Sequence, residues 1–430
     1  MHNIQRGALL SFVLLVSGAC SVRVTPAGVP TQPDSAMIRR HVEFLSSDNL
    51  EGRGTGSPGN DSAAAYIAKR FRELQLSQQY PGFLQKFEAR AAQDAHLRRT
   101  APRATQNVVG LLPGRDPVLR NEYIVIGAHY DHLGRSSASA LDPAAKDAIR
   151  NGADDNASGT AAVLELARLL ASHPLKRSII FVAFSGEELG LLGSQWFVDH
   201  PPVPLDRIVS MLNFDMVGRL RNDRLFVYGT GTASELQALV DSANSIPGSQ
   251  PFRIAGGGDG FGSSDHSSFY GKNIPVLHFF TDLHDDYHRA SDDPDKVSAE
   301  GAARVVRLAL DLTRGIGDRP SRLTFVRAAA PRQVAGTRQG SDTYLGSIPD
   351  MAAGDIPGLR LTGIRPGSPA DSGGLKSGDV IVEFAGKAVK DLFSYSDALY
   401  AQKPGDVVKI AVLRDGKRVE LSVTLGKRGG

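Results

Sequence analysis

Five short segments gather acids and imidazoles, four of them beside glycines. The first is Ile126-Gly127-Ala128-His129-Tyr130-Asp131-His132. The second, Asn151-Gly152-Ala153-Asp154-Asp155-Asn156-Ala157-Ser158-Gly159, opens a helical pattern. The third is Phe184-Ser185-Gly186-Glu187-Glu188-Leu189-Gly190, and the fourth Leu212-Asn213-Phe214-Asp215-Met216-Val217-Gly218. The fifth is His284-Asp285-Asp286-Tyr287-His288-Arg289. All but one follow an apolar run, so each puts a charged or imidazole side chain where a strand ends.

Adjacent acids at such a place are costly unless something positive neutralises them. A divalent metal does so, and imidazole with carboxylate suits zinc. The inventory is His129, Asp155, Glu188, Asp215 and His288, with Glu187 left over. Five ligands with one bridging carboxylate hold two metals, and the spare carboxylate is free to take a proton from an activated water. Asp131, two residues past His129, is placed to accept that ring's other N–H and set its tautomer. Taken singly, each segment has an ordinary explanation. A His-x-Asp is commonly a surface pair, Glu-Glu a solvated face, and Asp-Asp-Asn a helix N-cap. Their joint occurrence at strand exits carries the inference.

The elements that must position them are short β-branched runs separated by amphipathic stretches. Strands are expected at 107–112, 123–128, 179–184, 208–214, 225–228 and 276–280. Helices are expected at 34–46, 61–76, 157–170, 189–199, 233–244 and 298–314. This alternation predicts an α/β fold with a mostly parallel central sheet flanked by helices, whose sites lie at the carboxyl ends of the strands.

These segments, over residues 35–315, resemble the co-catalytic dinuclear zinc aminopeptidases, the exopeptidase family that also contains glutamate carboxypeptidase. His129-Tyr130-Asp131, Gly152 to Gly159, Glu187-Glu188, Asn213-Phe214-Asp215-Met216 and Tyr287-His288 stand in that family's order. The resemblance implies two zinc ions, one held by His129 and Asp215, the other by Glu188 and His288, with Asp155 bridging. It implies Glu187 as general base and acid, Asp131 as the group orienting His129, and Tyr287 as an oxyanion donor. Asp154 becomes a neighbour of the ligands. The loop Leu50 to Gly59 and Ser264-Asp265-His266 also look like family features without a metal role; Asp265 and His266 are expected near the pocket. A carboxypeptidase or a glutaminyl cyclase relative shares much of this metal set, and Arg219, Arg221 and Arg253 would suit a substrate carboxylate. An inactive peptide-binding ectodomain is the reading from another class.

The composition shifts at 315–343, read as a linker (319–340 at its centre) with one strand at 323–327. Residues 341–430 resemble a bacterial PDZ domain, on Tyr344-Leu345-Gly346-Ser347, Ser368-Pro369-Ala370, Gly374 to Ile381 and Phe384 to Lys387. Arg414-Asp415-Gly416-Lys417 between two alternating runs is a hairpin signal. The resemblance implies a small β-rich domain that captures a peptide or protein C-terminus by strand addition, with Leu345, Gly346 and Ser347 as the carboxylate-binding loop.

Residues 1–20 read as an export signal: Arg6, an apolar run from Ala8 to Val16, small residues, then Cys20 in a lipobox-like position. Residues 21–33 form a Pro-punctuated tether, and 34–318 the peptidase domain. The expected location is the periplasmic side of a bacterial membrane as a lipoprotein, or secretion, with any membrane contact made through Cys20.

Composition limits the alternatives. The 430 residues are 41% hydrophobic and 22% charged, with a net charge of +3 and a single cysteine. That is ordinary globular chemistry. The small charge does not support a nucleic-acid partner. One cysteine excludes internal disulfides and Cys-ligated zinc or iron–sulfur sites.

Overall fold

The computed structural model describes residues 1, 31–89, 103–135, 140–142, 145–246, 249–256, 258, 260, 262–327, 343–349, 358–364, 367–376, 378–390 and 392–427. The segment read as an export signal, with Cys20, and most of the expected tether and linker lie outside these residues. Among the described residues no helix is long and apolar enough to cross a membrane.

Helices α1 (Ser35–Leu45) and α2 (Pro58–Glu73) begin where the sequence supplies caps. Asp34 accepts the N–H groups of Ala36 and Met37. Ser57 accepts that of Asn60, with Pro58 opening the first turn. Strands β1 (Ser77–Gln78), β2 (Leu84–Ala89), β3 (Arg103–Leu112) and β4 (Tyr123–His129) follow. Then come α3 (Gly159–Ser172), β5 (Ser178–Phe184), α4 (Leu192–Asp199), β6 (Ile208–Phe214) and β7 (Arg224–Tyr228). The unit closes with α5 (Leu236–Asn244), β8 (Arg253–Ala255), α6 (His266–Tyr270), β9 (Val276–Phe280) and α7 (Ala299–Gly317).

The nine strands form one sheet in the order β1-β3-β5-β4-β6-β9-β7-β8, with β2 beside β3. The central strands β5, β4, β6 and β9 are parallel. On the flanks, β3 runs antiparallel to β5 and β7 antiparallel to β9. The sheet is therefore mixed around a parallel centre. A parallel crossover takes about a dozen residues or more, and the links 113–122 and 215–223 are too short to carry one. Strands β5, β6 and β9 are buried along their whole length, so both faces are covered. One face packs against α1, α2, α3, α5 and α7. On the other, Phe184, Phe197 and Phe269 bring α4 and α6 onto the sheet.

From β4 the chain steps outward to β5, then crosses back to place β6 on the other side of β4. The loops after β4 and β6 diverge there and leave a crevice at the carboxyl ends.

The C-terminal unit has its own core, with Leu345, Leu361, Ile381, Phe384, Ile410 and Val412 fully or almost fully buried. Its elements are β10 (Thr343–Tyr344), β11 (Ser347–Pro349), β12 (Leu359–Ile364), α8 (Pro369–Ser372) and β13 (Val380–Phe384). They continue with β14 (Lys387–Ala388), α9 (Leu392–Tyr400), β15 (Val407–Arg414), β16 (Lys417–Thr424) and β17 (Gly426–Lys427). Arg414 pairs with Lys417 across Asp415 and Gly416, which have φ of 51° and 74°, the mirror-image turn that suits a twisted hairpin. The strand expected at 323–327 reduces to a single bridge between Phe325 and Ala233.

Candidate active site

His129 ends β4, Glu187 and Glu188 follow β5, Asp215 follows β6, and Tyr287 and His288 lie in the loop after β9. Asp155 comes from the irregular turn Ala153–Ser158 that leads into α3. The four parallel strands thus deliver these side chains to one end of the sheet, where His129, Asp155, Glu187, Asp215, Tyr287 and His288 line one cavity.

Two triangles share Asp155. His129 Nε2 lies 3.4 Å from Asp155 Oδ1 and 3.4 Å from Asp215 Oδ1. His288 Nε2 lies 3.2 Å from Asp155 Oδ2 and 3.3 Å from Glu188 Oε2. His129, Asp155 and Asp215 set three ligand atoms within 4.8 Å of one another, as do His132, Asp155 and Glu188 beside His288, and the imidazole-plus-carboxylate set fits zinc. Glu187 belongs to neither triangle.

The electrostatics show how much positive charge the site demands. Burial opposes ionisation of Asp155, yet hydrogen bonds from His129 and His288 hold its carboxyl well below the usual range. Glu188, likewise buried, is drawn down to about 2 by His288 and His132. His129 and His288 are raised well above the ordinary imidazole value: burial opposes this, but the surrounding carboxylates outweigh it. Glu187 moves the other way. Burial and the neighbouring Glu188, Asp215 and Asp265 push it well above the usual carboxyl range, against the pull of His129. Tyr287 stacks on His288 with ring centroids 3.9 Å apart, and burial beside several carboxylates raises its hydroxyl well above 10.

The supports are specific. Asp292 Oδ2 accepts the backbone N–H groups of Asp154 and Asp155 at 2.9 and 3.0 Å. Ser264 donates to Asp215 Oδ2 at 2.7 Å and accepts from Asn213. Thr160 donates to the His129 carbonyl. Asp154 is fully buried and spent on structure: its carboxylate accepts from Gly218 N–H and Ser158, and faces His284.

One expected contact differs. His129 Nδ1 lies 3.2 Å from the backbone carbonyl of Asp131 but 3.9 Å from its carboxylate. The carboxylate instead accepts from Thr55 Oγ1 and from the Glu187 N–H. At i+2 the main chain lies nearer the ring than the side chain does, so Asp131 ties the histidine loop to the glutamate loop.

Residues 107–313 match the family described as Peptidase family M28, and residues 338–425 match the PDZ domain. Residues 107–313 are thus a peptidase unit of the M28 kind, followed by a PDZ domain. It is 29% identical to Aminopeptidase YwaD of Bacillus subtilis over 211 residues, 47% of this chain and 43% of that one. It is 28% identical to Leupeptin-inactivating enzyme 1 of Streptomyces exfoliatus over 278 residues, 63% and 55% of the two chains. The chain therefore spans about half the length of the curated relatives it matches. Its fold is similar to that of a solved zinc aminopeptidase from Bacillus subtilis, with a TM-score of 0.54 at 18% identity over 69% of this chain and 99% of that one.

In the M28 unit, three residues not singled out in the sequence come into view. His132, buried, sets Nδ1 2.8 Å from Glu188 Oε1. It stands in the same segment as His129, three residues on, and that doubled histidine was its signal. His278 is buried and lines the cavity. Arg53 is fully buried; its guanidinium donates to the carbonyls of Leu45, Tyr130, Asn151 and Gly152. The glycine-rich loop at 52–59 thus delivers a cation behind the acidic site. Asp265 and His266 are buried, and Ser263 and Ser264 of that loop face the cavity in their place. Burial, opposed by His129, raises Asp265 to about 7.

The arginines considered for a substrate carboxylate are engaged elsewhere or exposed. Arg219 pairs with Asp286 and Asp292, Arg221 donates to the Leu283 carbonyl, and Arg253 is exposed on β8. No Arg or Lys appears among the described residues that line the cavity; Ser396 and Tyr400 of α9 contribute to its wall.

In the PDZ unit, Gly346 sits at φ 86°, and a Cβ there would lie 2.2 Å from Ser368. Leu345 is buried, its carbonyl accepting from Ala370, and Ser347 Oγ is 2.7 Å from Tyr395 Oη.

Proposed function

We propose that this chain is an exported zinc aminopeptidase whose site holds two ions. His129 and Asp215 would hold one, Glu188 and His288 the other, with Asp155 shared. The observation that carries this is the pair of triangles joined at Asp155 with a spare carboxylate, Glu187, on the same cavity wall. When bound, two such ions supply Lewis-acid polarisation of a carbonyl and lower the pKa of water.

The chain's own residues do the rest. Glu187 takes a proton from the attacking water and delivers it to the leaving amine. Burial and its acidic neighbours raise its carboxyl, the direction that favours a group which must return its proton. Asp131 anchors the Glu187 backbone. Tyr287, kept protonated, donates to the carbonyl oxygen as charge develops there. The absence of a cation among the described lining residues favours a substrate's N-terminal end over its carboxylate.

The PDZ domain would recruit a peptide or protein C-terminus through Leu345, Gly346 and Ser347. Residues 1–20 would direct export, with lipidation at Cys20.

A panel of aminoacyl and carboxyl-terminal reporter peptides, run with and without chelator, tests the reading. Hydrolysis of aminoacyl reporters alone, lost with chelator and restored by zinc, is expected. Cleavage confined to the carboxyl-terminal reporters would overturn it.

A further inference from the structure

His132 is buried, at 1% exposure, on the wall of the second triangle. Its Nδ1 lies 2.8 Å from Glu188 Oε1 and 3.7 Å from Asp155 Oδ2. The other oxygen of the same glutamate, Oε2, faces His288 Nε2 at 3.3 Å. The two oxygens of Glu188 therefore have different nearest partners, His132 for Oε1 and His288 for Oε2.

The ring is held in place. It meets His288 edge-on at 5.7 Å between centroids. A Cβ on Gly152 would come within 2.5 Å of His132 Cγ and Cδ2, so the glycine opens the space the ring fills. The backbone N–H of His132 donates to the Arg53 carbonyl.

Tautomer chemistry decides between two roles. His132 Nε2 is buried with no hydrogen-bond partner among the described residues. Nε2 is unmatched in either tautomer, so the two roles differ at Nδ1. The 2.8 Å from Nδ1 to Glu188 Oε1 is a hydrogen-bond distance, which a ring carrying its proton on Nδ1 uses and a ring ligating through Nδ1 would lose. Groups that hold a metal-binding side chain in this way fix its orientation and strengthen metal binding.

We propose that His132 is a positioning residue of the second metal site: it donates Nδ1–H to Glu188 Oε1 and so commits Oε2 to the ion beside His288 and Asp155. This rests on the two-ion reading above.

Zinc affinity measured by chelator competition tests it without reference to activity. The intact chain is expected to bind two ions. His132→Leu should weaken one of them by about 10–100-fold and spare the other. His132→Asn, which keeps an N–H donor near the position of Nδ1, should stay within about threefold of the intact chain on the same scale. Melting temperatures of the metal-free proteins report folding separately. If His132→Leu fails to fold, His132→Gln, whose amide lies one methylene further out, takes its place. Wild-type affinity for both ions in His132→Leu would overturn the proposal, as would an equal loss in His132→Asn. An intact chain that binds fewer than two ions overturns the two-ion reading and this inference with it.

Discussion

The carboxylate of Asp131 accepts the backbone N–H of Glu187 at 3.3 Å, although the two residues lie on loops after different strands. This bond fixes the start of the Glu187-Glu188 loop relative to His129. It ties Glu187 to the group of His129, Asp155 and Asp215 through the main chain and leaves the Glu187 carboxylate uncommitted.

Glu187→Gln should therefore separate proton transfer from metal holding. Turnover of an aminoacyl reporter is expected to fall by about 10²–10⁴-fold, while zinc content by elemental analysis stays unchanged. Full activity in this variant would refute the assignment of Glu187 as the base.

Gly152→Ala should damage the site through the backbone. The glycine has φ 56°, and an added Cβ would lie 2.1 Å from the Asp155 carbonyl as well as against the His132 ring. The turn carrying Asp155 has to shift. Weaker zinc binding, with at least about 1 kcal/mol lost in urea unfolding of the metal-free protein, is expected.

Arg53 donates to four carbonyls from three separate stretches of chain. Burial lowers its pKa to about 10, with Asp155, Asp131, Asp292 and Glu188 opposing the fall, so it stays charged at neutral pH. Arg53→Met removes every donor and leaves buried carbonyls unmatched. A loss of about 3 kcal/mol or more in denaturant unfolding is expected. Arg53→Lys should recover only part, because an ammonium cannot reproduce the planar fork.

His41 predicts an acid limb to stability that has nothing to do with the site. Burial, with Arg70, Arg40 and Arg168 nearby, lowers it from 6.5 to about 4, and its Nδ1 pairs with Tyr66 Oη at 2.7 Å. Between those two values the unfolded chain holds the proton and the folded chain does not. Stability therefore rises with pH across the window and is lost as pH falls from 6.5 towards 4. The linkage amounts to about 2 kcal/mol between pH 7.5 and pH 5. His41→Gln should flatten that limb in thermal melts compared at the two pH values; an unchanged slope would refute it.

A chain ending at residue 327 removes the PDZ domain, together with Ser396 and Tyr400 from the cavity wall. Short aminoacyl reporters should still be cleaved. Binding of peptides through a free C-terminus, followed by fluorescence anisotropy, should disappear. Full peptide affinity in the shortened chain would remove the recruiting role from Leu345, Gly346 and Ser347.

The metal-binding candidates were legible in the sequence because strand exits are. An apolar run ending in a polar residue beside glycine marks the point where a buried strand reaches solvent, and the parallel centre brings such ends together. That is why His129, Glu188 and Asp215 could be named from local pattern, and why the Asp415-Gly416 turn was readable from its two residues; His288 lies further along its loop, past the end of β9 at Phe280. What local pattern does not contain is the path of the loops. Asp292 reaches the turn of Asp155 from 137 residues away, and Arg53 reaches Asn151 from 98. Asp131 turns its carboxylate to Thr55 and Glu187 while its main chain meets His129. His129 and His132 share one segment, but only the folded loop sends one ring to Asp215 and the other to Glu188. Residue type and strand periodicity specify which chemistry is present and which end of the sheet bears it. Which atom serves which partner depends on distances of a few ångströms between distant loops, and only tertiary packing decides those.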